Sequence, residues 1–250
     1  MTVHRSDAIR TVPLKLPETA AAPTAPKGAQ LTYRGGPLLT AVEVFAIFWG
    51  SAWKQTAADL TIAVNKFFDF IVTSALLDQL AEYSTATLPI GHGSHIGSTV
   101  VATPAPAQSV TDAALRSLLQ DQIKNNAAVP KPGPNSLYFL FLPPGVAVDQ
   151  GGSLSCRDFC GYHDAIDNQI FYGVVPYPGC SGCSSNFSVN DAITVTTSHE
   201  FCEAITDPIP GQGWYDDANG EIGDICAWQT KQLGSYTVQL EWSNKANACA

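Results

Sequence analysis

Apolar residues along the chain follow two periods, which together predict a mixture of strands and helices. A continuous apolar run at 42–49 is typical of a buried inner strand, and residues 137–142 have the same character. From Thr56 to about Tyr83, apolar side chains recur at steps of three and four residues, which predicts one long helix with a broad buried stripe. Its phenylalanines are interpreted as core residues and not as a cofactor site.

The remaining segments predict shorter elements. A helix is predicted from a cap at Ser109 or Thr111 to about Asn126, and another at 191–205 from a cap at Asn190 or Asp191. Residues 151–188, rich in cysteine, glycine and serine, predict an irregular lobe. Further strands are predicted at 98–102, 169–175 and 236–242. This order predicts an α+β or three-layer fold with a mixed sheet, and no internal repeat is present.

The chain length fits one domain, or two small ones, and the N-terminal segment is typical of an arm. The segment PETAAAPTAP at 17–26 is typical of an extended linker, so residues 1–30 are predicted to be a flexible N-terminal arm or pro-segment. Residues 31–250 are long enough to bury a single core, and they are predicted to form one domain.

Charge excludes two classes of partner. Charged residues make up only 14% of the chain, and the formal net charge is −9. Phosphate backbones and anionic membrane surfaces require clustered lysine and arginine, so neither is an expected partner. The most apolar segment, 57–80, carries charges throughout, and no membrane span is predicted.

Seven cysteines lie in the second half of the chain. Six form loose sequence pairs, and only one pair has the C-x2-C spacing of a zinc knuckle, so disulfides are favoured over a structural zinc site. Disulfides indicate an oxidising compartment, although no hydrophobic signal core precedes residue 30. The disulfide candidates are Cys156, Cys160, Cys180, Cys183, Cys202 and Cys226, which leaves Cys249 near the end.

The strongest chemical signal is an H-E-x-x-E arrangement at residues 199–203. Residues four apart share one helical face, so His199 and Glu203 are expected to chelate one cation together. Glu200 would then take a proton from a bound water, as the same Glu does in H-E-x-x-H metallopeptidases. A carboxylate in place of the second histidine still suits Zn²⁺, but favours harder metals.

A third ligand is needed, and two aspartates are candidates. Asp224 is preferred because a Cys202–Cys226 disulfide would hold its segment against the helix. Asp207 is the runner-up, since two helical turns place it ~12 Å from His199 along the axis unless the helix breaks early. The alternative interpretation of Asp207 is a helix-ending residue that bonds the following turn.

Other candidates are weaker by residue type. Tyr215 and His163 would suit an oxyanion donor, but packed or hydrogen-bonded roles are favoured for both. The glycine-rich turn 91–97 carries His92 and His95, which are expected to be surface residues. The acidic loop 216–221 is an alternative site for structural Ca²⁺, although its spacing differs from that of an EF-hand.

Several segments resemble the phosphate-induced (EXORDIUM-like) protein family. They are LTYRGGPLL at 31–39, FWG at 48–50, CRDFCGYH at 156–163 and CSGC at 180–183. The resemblance covers most of the chain from about residue 31. It is strongest with bacterial members, which look like zincins with a helix similar to SHEFCEAITDP at 198–208. Plant members, associated with cell-wall growth, mostly lack this helix motif. The resemblance implies a secreted protein and, with the motif retained, a metal-dependent hydrolase.

The sequence therefore predicts a secreted, disulfide-bonded, zincin-like zinc endopeptidase acting on protein or peptide substrates. His199, Glu203 and Asp224 would hold the metal and Glu200 would act as the base. One alternative is a non-catalytic extracellular or cell-wall binding protein with structural calcium. Another is a metal-dependent hydrolase with a non-peptide substrate.

Overall fold

The structure, a computed structural model, describes residues 11–14, 26, 28–184 and 186–250, which form a mixed α+β fold. Its helices are α1 (Ala58–Ile71), α2 (Ala75–Leu80), α3 (Asp112–Asn125), α4 (Ser181–Ser184) and α5 (Val189–Thr206), with 3-10 turns at Ser51–Lys54, Ala81–Tyr83 and Asp224–Cys226. Its strands are β1 (Thr11–Pro13), β2 (Thr32–Tyr33), β3 (Glu43–Trp49), β4 (Ser94–Val101), β5 (Ser109–Thr111), β6 (Ser136–Phe141), β7 (Ala147–Gln150), β8 (Ser153–Leu154), β9 (Phe159–Ile166), β10 (Ile170–Val175), β11 (Trp214–Tyr215), β12 (Thr230–Leu233), β13 (Tyr236–Gln239), β14 (Trp242–Ser243) and β15 (Ala248–Cys249).

A six-stranded mixed sheet forms the centre of the fold, with the strand order β1-β9-β10-β6-β3-β4. Strands β4, β3, β6 and β10 are parallel to their neighbours in that order. Strand β9 runs antiparallel to both β10 and β1. The predicted mixed sheet is therefore confirmed.

The inner strands β3 and β6 are buried on both faces, which explains their continuous apolar runs. Alternate residues of β3 enter different clusters: Phe48 packs in the cluster that includes α1 and α5, and Ile47 in the one that includes α3. Helices thus cover the two faces, which is the three-layer arrangement that the sequence analysis gave as one of its two alternatives.

The long helix predicted at 56–83 is interrupted after Ile71. Ser74 ends the first segment and begins the second, because its Oγ donates to the Ile71 carbonyl at 2.9 Å and accepts from the Leu76 amide at 3.3 Å. Such local bonds compete with the helical ladder. No single described helix is long and apolar enough to cross a membrane. The helical segments on either side of this break would pass together on length and composition, but they meet at a bend of 47°.

The region 151–188 is more regular than predicted. Its long strand β9 was missed because Cys160, Gly161, His163 and Asp164 are unusual in an inner strand. Strand β4 likewise begins at Ser94, within the predicted glycine-rich turn. The prediction of a single strand at 236–242 was also wrong, since β13 and β14 are separate.

Part of the predicted N-terminal arm belongs to the sheet. Residues Thr11 and Val12 of β1 pair with Tyr162 and Gly161 of β9, so this part of the arm is a strand. The Pro13 carbonyl also accepts a hydrogen bond from Trp228 Nε1 at 2.8 Å. Most of the proline-rich segment 17–26 lies outside the described residues.

Three disulfides are present, with a different pairing from the one considered for the metal helix. Cys156 pairs with Cys180, Cys160 with Cys183, and Cys226 with Cys249. Cys202 is a free, buried thiol, so the expected Cys202–Cys226 bridge was wrong. Strand β15 pairs with β14 with Cys249 opposite Trp242, and this hairpin supplies the partner of Cys226.

Candidate metal centre

Helix α5 places the H-E-x-x-E residues inside the protein. It begins at Val189, two residues before the predicted start at residue 191, with Ser188 as its cap in place of Asn190 or Asp191. Every residue from Ala192 to Thr206 is buried, so the helix has no solvent face in which to place its charged side chains. Buried charges are tolerated only when they are paired, hydrogen-bonded or bound to a metal.

His199 and Glu203 meet one helical turn apart, as predicted. His199 Nε2 lies 2.9 Å from Glu203 Oε1, and both side chains are fully buried. The two side chains therefore converge on one point beside the helix.

Asp224 joins this pair from the loop that follows β11. Donor atoms of His199, Glu203 and Asp224 all lie within 4.8 Å of one another, and the Asp224 amide donates to Glu203 Oε1 at 3.0 Å. A Cβ on Gly223 would lie 2.9 Å from the His199 ring, so only glycine lets the loop come this close. The residues predicted as the metal ligands are brought together.

Asp207, the second candidate for the third metal ligand, has a different role. It ends α5, and its carboxylate accepts hydrogen bonds from the amides of Gly211, Gln212 and Gly213 at 2.5–2.9 Å. These bonds organise the following turn, which was the alternative interpretation. The carboxylate is committed to the backbone and does not belong to the His199 group.

Glu200 points towards β9, where it meets His163. Glu200 Oε2 lies 3.1 Å from His163 Nδ1, and the other oxygen, Oε1, has no hydrogen-bond partner among the described residues. Gly161 makes this contact between strand and helix feasible, because a Cβ there would lie 2.6 Å from Thr196 Cγ2 on α5. His163 also contacts Glu203, with Nδ1 3.5 Å from Oε2.

His163 is anchored on its far side by the backbone. Its Nε2 lies 3.1 Å from the carbonyl oxygen of Asp207, which only accepts, so Nε2 is the donor. His163 is therefore a hydrogen-bonded interior residue, as the favoured interpretation had it. Its partners, however, are residues of the candidate metal centre. Strand β9 was not predicted, and no sequence signal placed His163 beside the helix.

Gln239 on β13 anchors His199 in the same way. Its Oε1 lies 3.1 Å from His199 Nδ1, and its Nε2 donates to the Gly223 carbonyl at 2.9 Å. The Trp228 amide also donates to Oε1, which fixes the orientation of the side-chain amide. His199 Nδ1 is therefore the donor, and Nε2 keeps its lone pair for a ligand while the ring is neutral. No sequence pattern had indicated Gln239 as a residue of the site.

Two further buried glutamates add negative charge. Glu221 and Glu241 are fully buried, and none of their carboxylate oxygens has a hydrogen-bond partner among the described residues. Glu221 Oε1 lies 3.4 Å from His163 Nε2. The interior therefore contains more carboxylates than cationic side chains.

Burial and mutual charge shift the pKa values of these groups. Burial alone would lower the pKa of His199, but Glu203 above all, with Glu200 and Asp224, raises it well above the usual range. Burial would raise the pKa of Glu203, but His199 and His163 together lower it to about 2. Burial raises the pKa of Glu221 well above its usual range.

A divalent cation fits this donor set. Glu203 Oε2 and Glu200 Oε1 are buried without hydrogen-bond partners among the described residues, and His199 Nε2 faces Glu203 Oε1. Nitrogen with carboxylate oxygen is a donor combination used by Zn²⁺ and related transition metals. A cation would replace the proton that otherwise holds His199 against Glu203.

Of the weaker candidates, His163 belongs to this cluster, whereas Tyr215, His92 and His95 lie outside it. Tyr215 is buried beneath the Arg34 guanidinium, whose carbon lies 4.5 Å from the ring centre. His92 is half-exposed and pairs with Asp78. The expectation that His95 is a surface residue was wrong, because its side chain is only 7% exposed and bonds Asp69 at 2.7 Å.

Comparisons with known proteins do not add to this picture. No known protein-family model matches the chain, and comparison with curated proteins finds no significant match. The resemblance to the phosphate-induced family stays a prediction, and function is inferred from the site.

Proposed function

We propose that this protein is a secreted, zincin-like, metal-dependent peptidase. The observation that carries the proposal is the meeting of His199, Glu203 and Asp224, with their donor atoms within 4.8 Å of one another and Glu200 next in sequence. Three protein ligands are what catalytic zinc sites use. The three disulfides support an extracytoplasmic location.

His199, Glu203 and Asp224 would hold the cation, most suitably Zn²⁺. When bound, such a cation supplies Lewis acidity and makes water a nucleophile near neutral pH. Gln239 keeps a lone pair of His199 directed inwards, because it accepts the proton on the other ring nitrogen. Burial raises the pKa of Glu200, so its carboxylate is a stronger proton acceptor than an exposed one.

One oxygen of the Glu200 carboxylate would orient the side chain, and the other would accept the proton. Contact with His163 holds Oε2, and Oε1 is left to accept a proton from water. The same group would then deliver that proton to the departing amine of a peptide. Access would be from the side of Asp224, which is only half-buried, while Glu200 is fully buried.

A second candidate function is a binding protein with a structural cation. The full burial of His199, Glu200 and Glu203 favours it, because structural sites are closed and catalytic sites keep an open position. The imidazole ligand argues against the calcium form, since Ca²⁺ takes oxygen ligands.

The variant Glu200→Gln tests the choice between them. It leaves His199, Glu203 and Asp224 intact, so we expect the chain to retain at least one cation, measured by elemental analysis. Casein hydrolysis should fall by at least about 100-fold, the usual contribution of a general base.

Glu241→Gln is the matched control, because Glu241 is equally buried but lies outside the ligand group. It should retain both metal and activity. Full activity in Glu200→Gln would show that Glu200 is not the base. A metal-loaded wild type without chelator-sensitive hydrolysis of casein would favour the binding protein.

A further inference from the structure

Two imidazoles are arranged alike on either side of Glu203. His199 bonds the amide oxygen of Gln239 through Nδ1 and directs Nε2 at Glu203 Oε1, 2.9 Å away. His163 bonds the carbonyl oxygen of Asp207 through Nε2 and directs Nδ1 at Glu203 Oε2, 3.5 Å away. Each ring thus has the carbonyl anchor that accompanies metal-ligating histidines, with its other nitrogen facing one oxygen of the same carboxylate.

We propose that Glu203 bridges two divalent cations. The first position is the one formed by His199, Glu203 and Asp224. The second is formed by His163, Glu200 and Glu203, whose donor atoms also lie within 4.8 Å of one another. Enzymes with two-metal centres hold their cations about 3.5–4 Å apart, a separation that a carboxylate spans with its two oxygens.

The unpartnered oxygen of Glu203 supports the second position independently of the donor distances. Glu203 is fully buried, and its Oε2 has no hydrogen-bond partner among the described residues. One cation held by His199, Glu203 Oε1 and Asp224 would leave this oxygen as it is. A second cation, at His163, would give it a partner in a region where an unsatisfied buried carboxylate oxygen is costly.

The donors identify the class of cation. Each position offers one imidazole nitrogen and carboxylate oxygens, a set suited to Zn²⁺, Mn²⁺ or Co²⁺ and unlike the all-oxygen sites of Ca²⁺. In the second position Glu200 would ligate through Oε2, the oxygen that faces His163. Its Oε1 is still free to accept a proton from water.

Metal stoichiometry of the full chain tests this proposal, which rests on the proposed function only for the first cation. Metal-free protein is loaded with Zn²⁺, freed of excess metal and analysed for zinc per chain. We expect two equivalents in the wild type and one in His163→Gln or His199→Gln. His95→Gln, the loss of a largely buried histidine outside the centre, should retain two.

A second measurement needs no variant and so does not depend on how the variants fold. Wild-type protein loaded with Mn²⁺ should give the electron paramagnetic resonance spectrum of an exchange-coupled pair. One equivalent of zinc with a spectrum of isolated Mn²⁺ would overturn the second position and leave the proposed peptidase standing. Failure to bind any cation would overturn both.

Discussion

Gln239 determines which ring nitrogen of His199 carries the proton, and it does so with an uncharged side-chain amide. Histidine ligands commonly bond a carboxylate or carbonyl, and a carboxylate here would add another negative charge to a region that already contains several buried glutamates. The amide accepts from His199 Nδ1 without that charge, and its own NH₂ group donates to Gly223. The same side chain thus orients the histidine and holds the loop that leads to Asp224.

Replacement of Gln239 by Leu is expected to weaken metal binding by about 10–100-fold, as is typical when the hydrogen-bond partner of a ligand is lost. The ring of His199 would lose its fixed tautomer, and the Gly223 carbonyl would lose its donor. Titration with Zn²⁺ against a competing chelator measures the change. Gln232→Leu, on the neighbouring strand β12, makes the same substitution at an exposed position and should retain wild-type affinity. Equal Zn²⁺ affinities in Gln239→Leu and Gln232→Leu would show that Gln239 does not support metal binding.

Sequence spacing alone could predict which residues of α5 meet, but not which residues face them. His199 and Glu203 are one helical turn apart, so their convergence follows from helix geometry. His163 and Gln239 are 37 and 40 residues away from the partners they contact, on strands whose position depends on the whole fold. Histidine and glutamine on a strand have many uses, and nothing local distinguishes these two.

At the scale of elements, the stability of helix α5 depends on the cap of its first turn as well as on the burial of its side chains. The helix is buried from Ala192 onwards, but Ser188 is exposed and the first turn is only partly buried. Its first backbone amides have no partner within the helix and need a side chain or water. Ser188 Oγ accepts from the Asp191 amide at 3.1 Å and donates to the Asp191 carboxylate at 2.6 Å. The helix predicted at 191–205 is present, but its predicted cap at Asn190 or Asp191 was wrong, because the hydrogen bonds that identify Ser188 cannot be seen in the sequence.

Ser188→Ala should therefore lower the free energy of unfolding by about 1 kcal/mol, the usual contribution of such a cap. Asn190→Ala is the matched control, because the Asn190 Oδ1 has no hydrogen-bond partner among the described residues. Urea unfolding at equal metal content gives both values. A larger loss in Asn190→Ala than in Ser188→Ala would place the cap where the sequence had first suggested it.

At the scale of the whole molecule, both the sheet and the disulfides hold the residues of the metal centre in position. The burial of β3 and β6 on both faces could be predicted, because both strands are apolar runs without polar alternation. The position of β9, and with it His163, could not be predicted, because its cysteine, glycine, histidine and aspartate are typical of loops. Two disulfides join that strand and its approach to the segment before α5.

The third disulfide secures the loop that carries Asp224. Cys226 lies two residues after Asp224 and is joined to Cys249, 23 residues away, in the C-terminal hairpin. Constraining a loop of this length stabilises the fold by roughly 3 kcal/mol in the chain-entropy model. The hairpin therefore does what the sequence had assigned to Cys202, and the helix is left without a covalent link to the loop.

Peptide mapping of unreduced protein distinguishes these two arrangements. When the wild type is unfolded and alkylated without reductant, we expect the label on Cys202, because it is the free thiol. Label on Cys249 would instead indicate a Cys202–Cys226 bridge. Cys249→Ala should destabilise the protein by roughly 3 kcal/mol and also weaken zinc binding, because the Asp224 segment loses its covalent anchor. Cys202→Ala removes only a buried thiol and should have much the smaller effect on both, unless the helix itself carries the bridge.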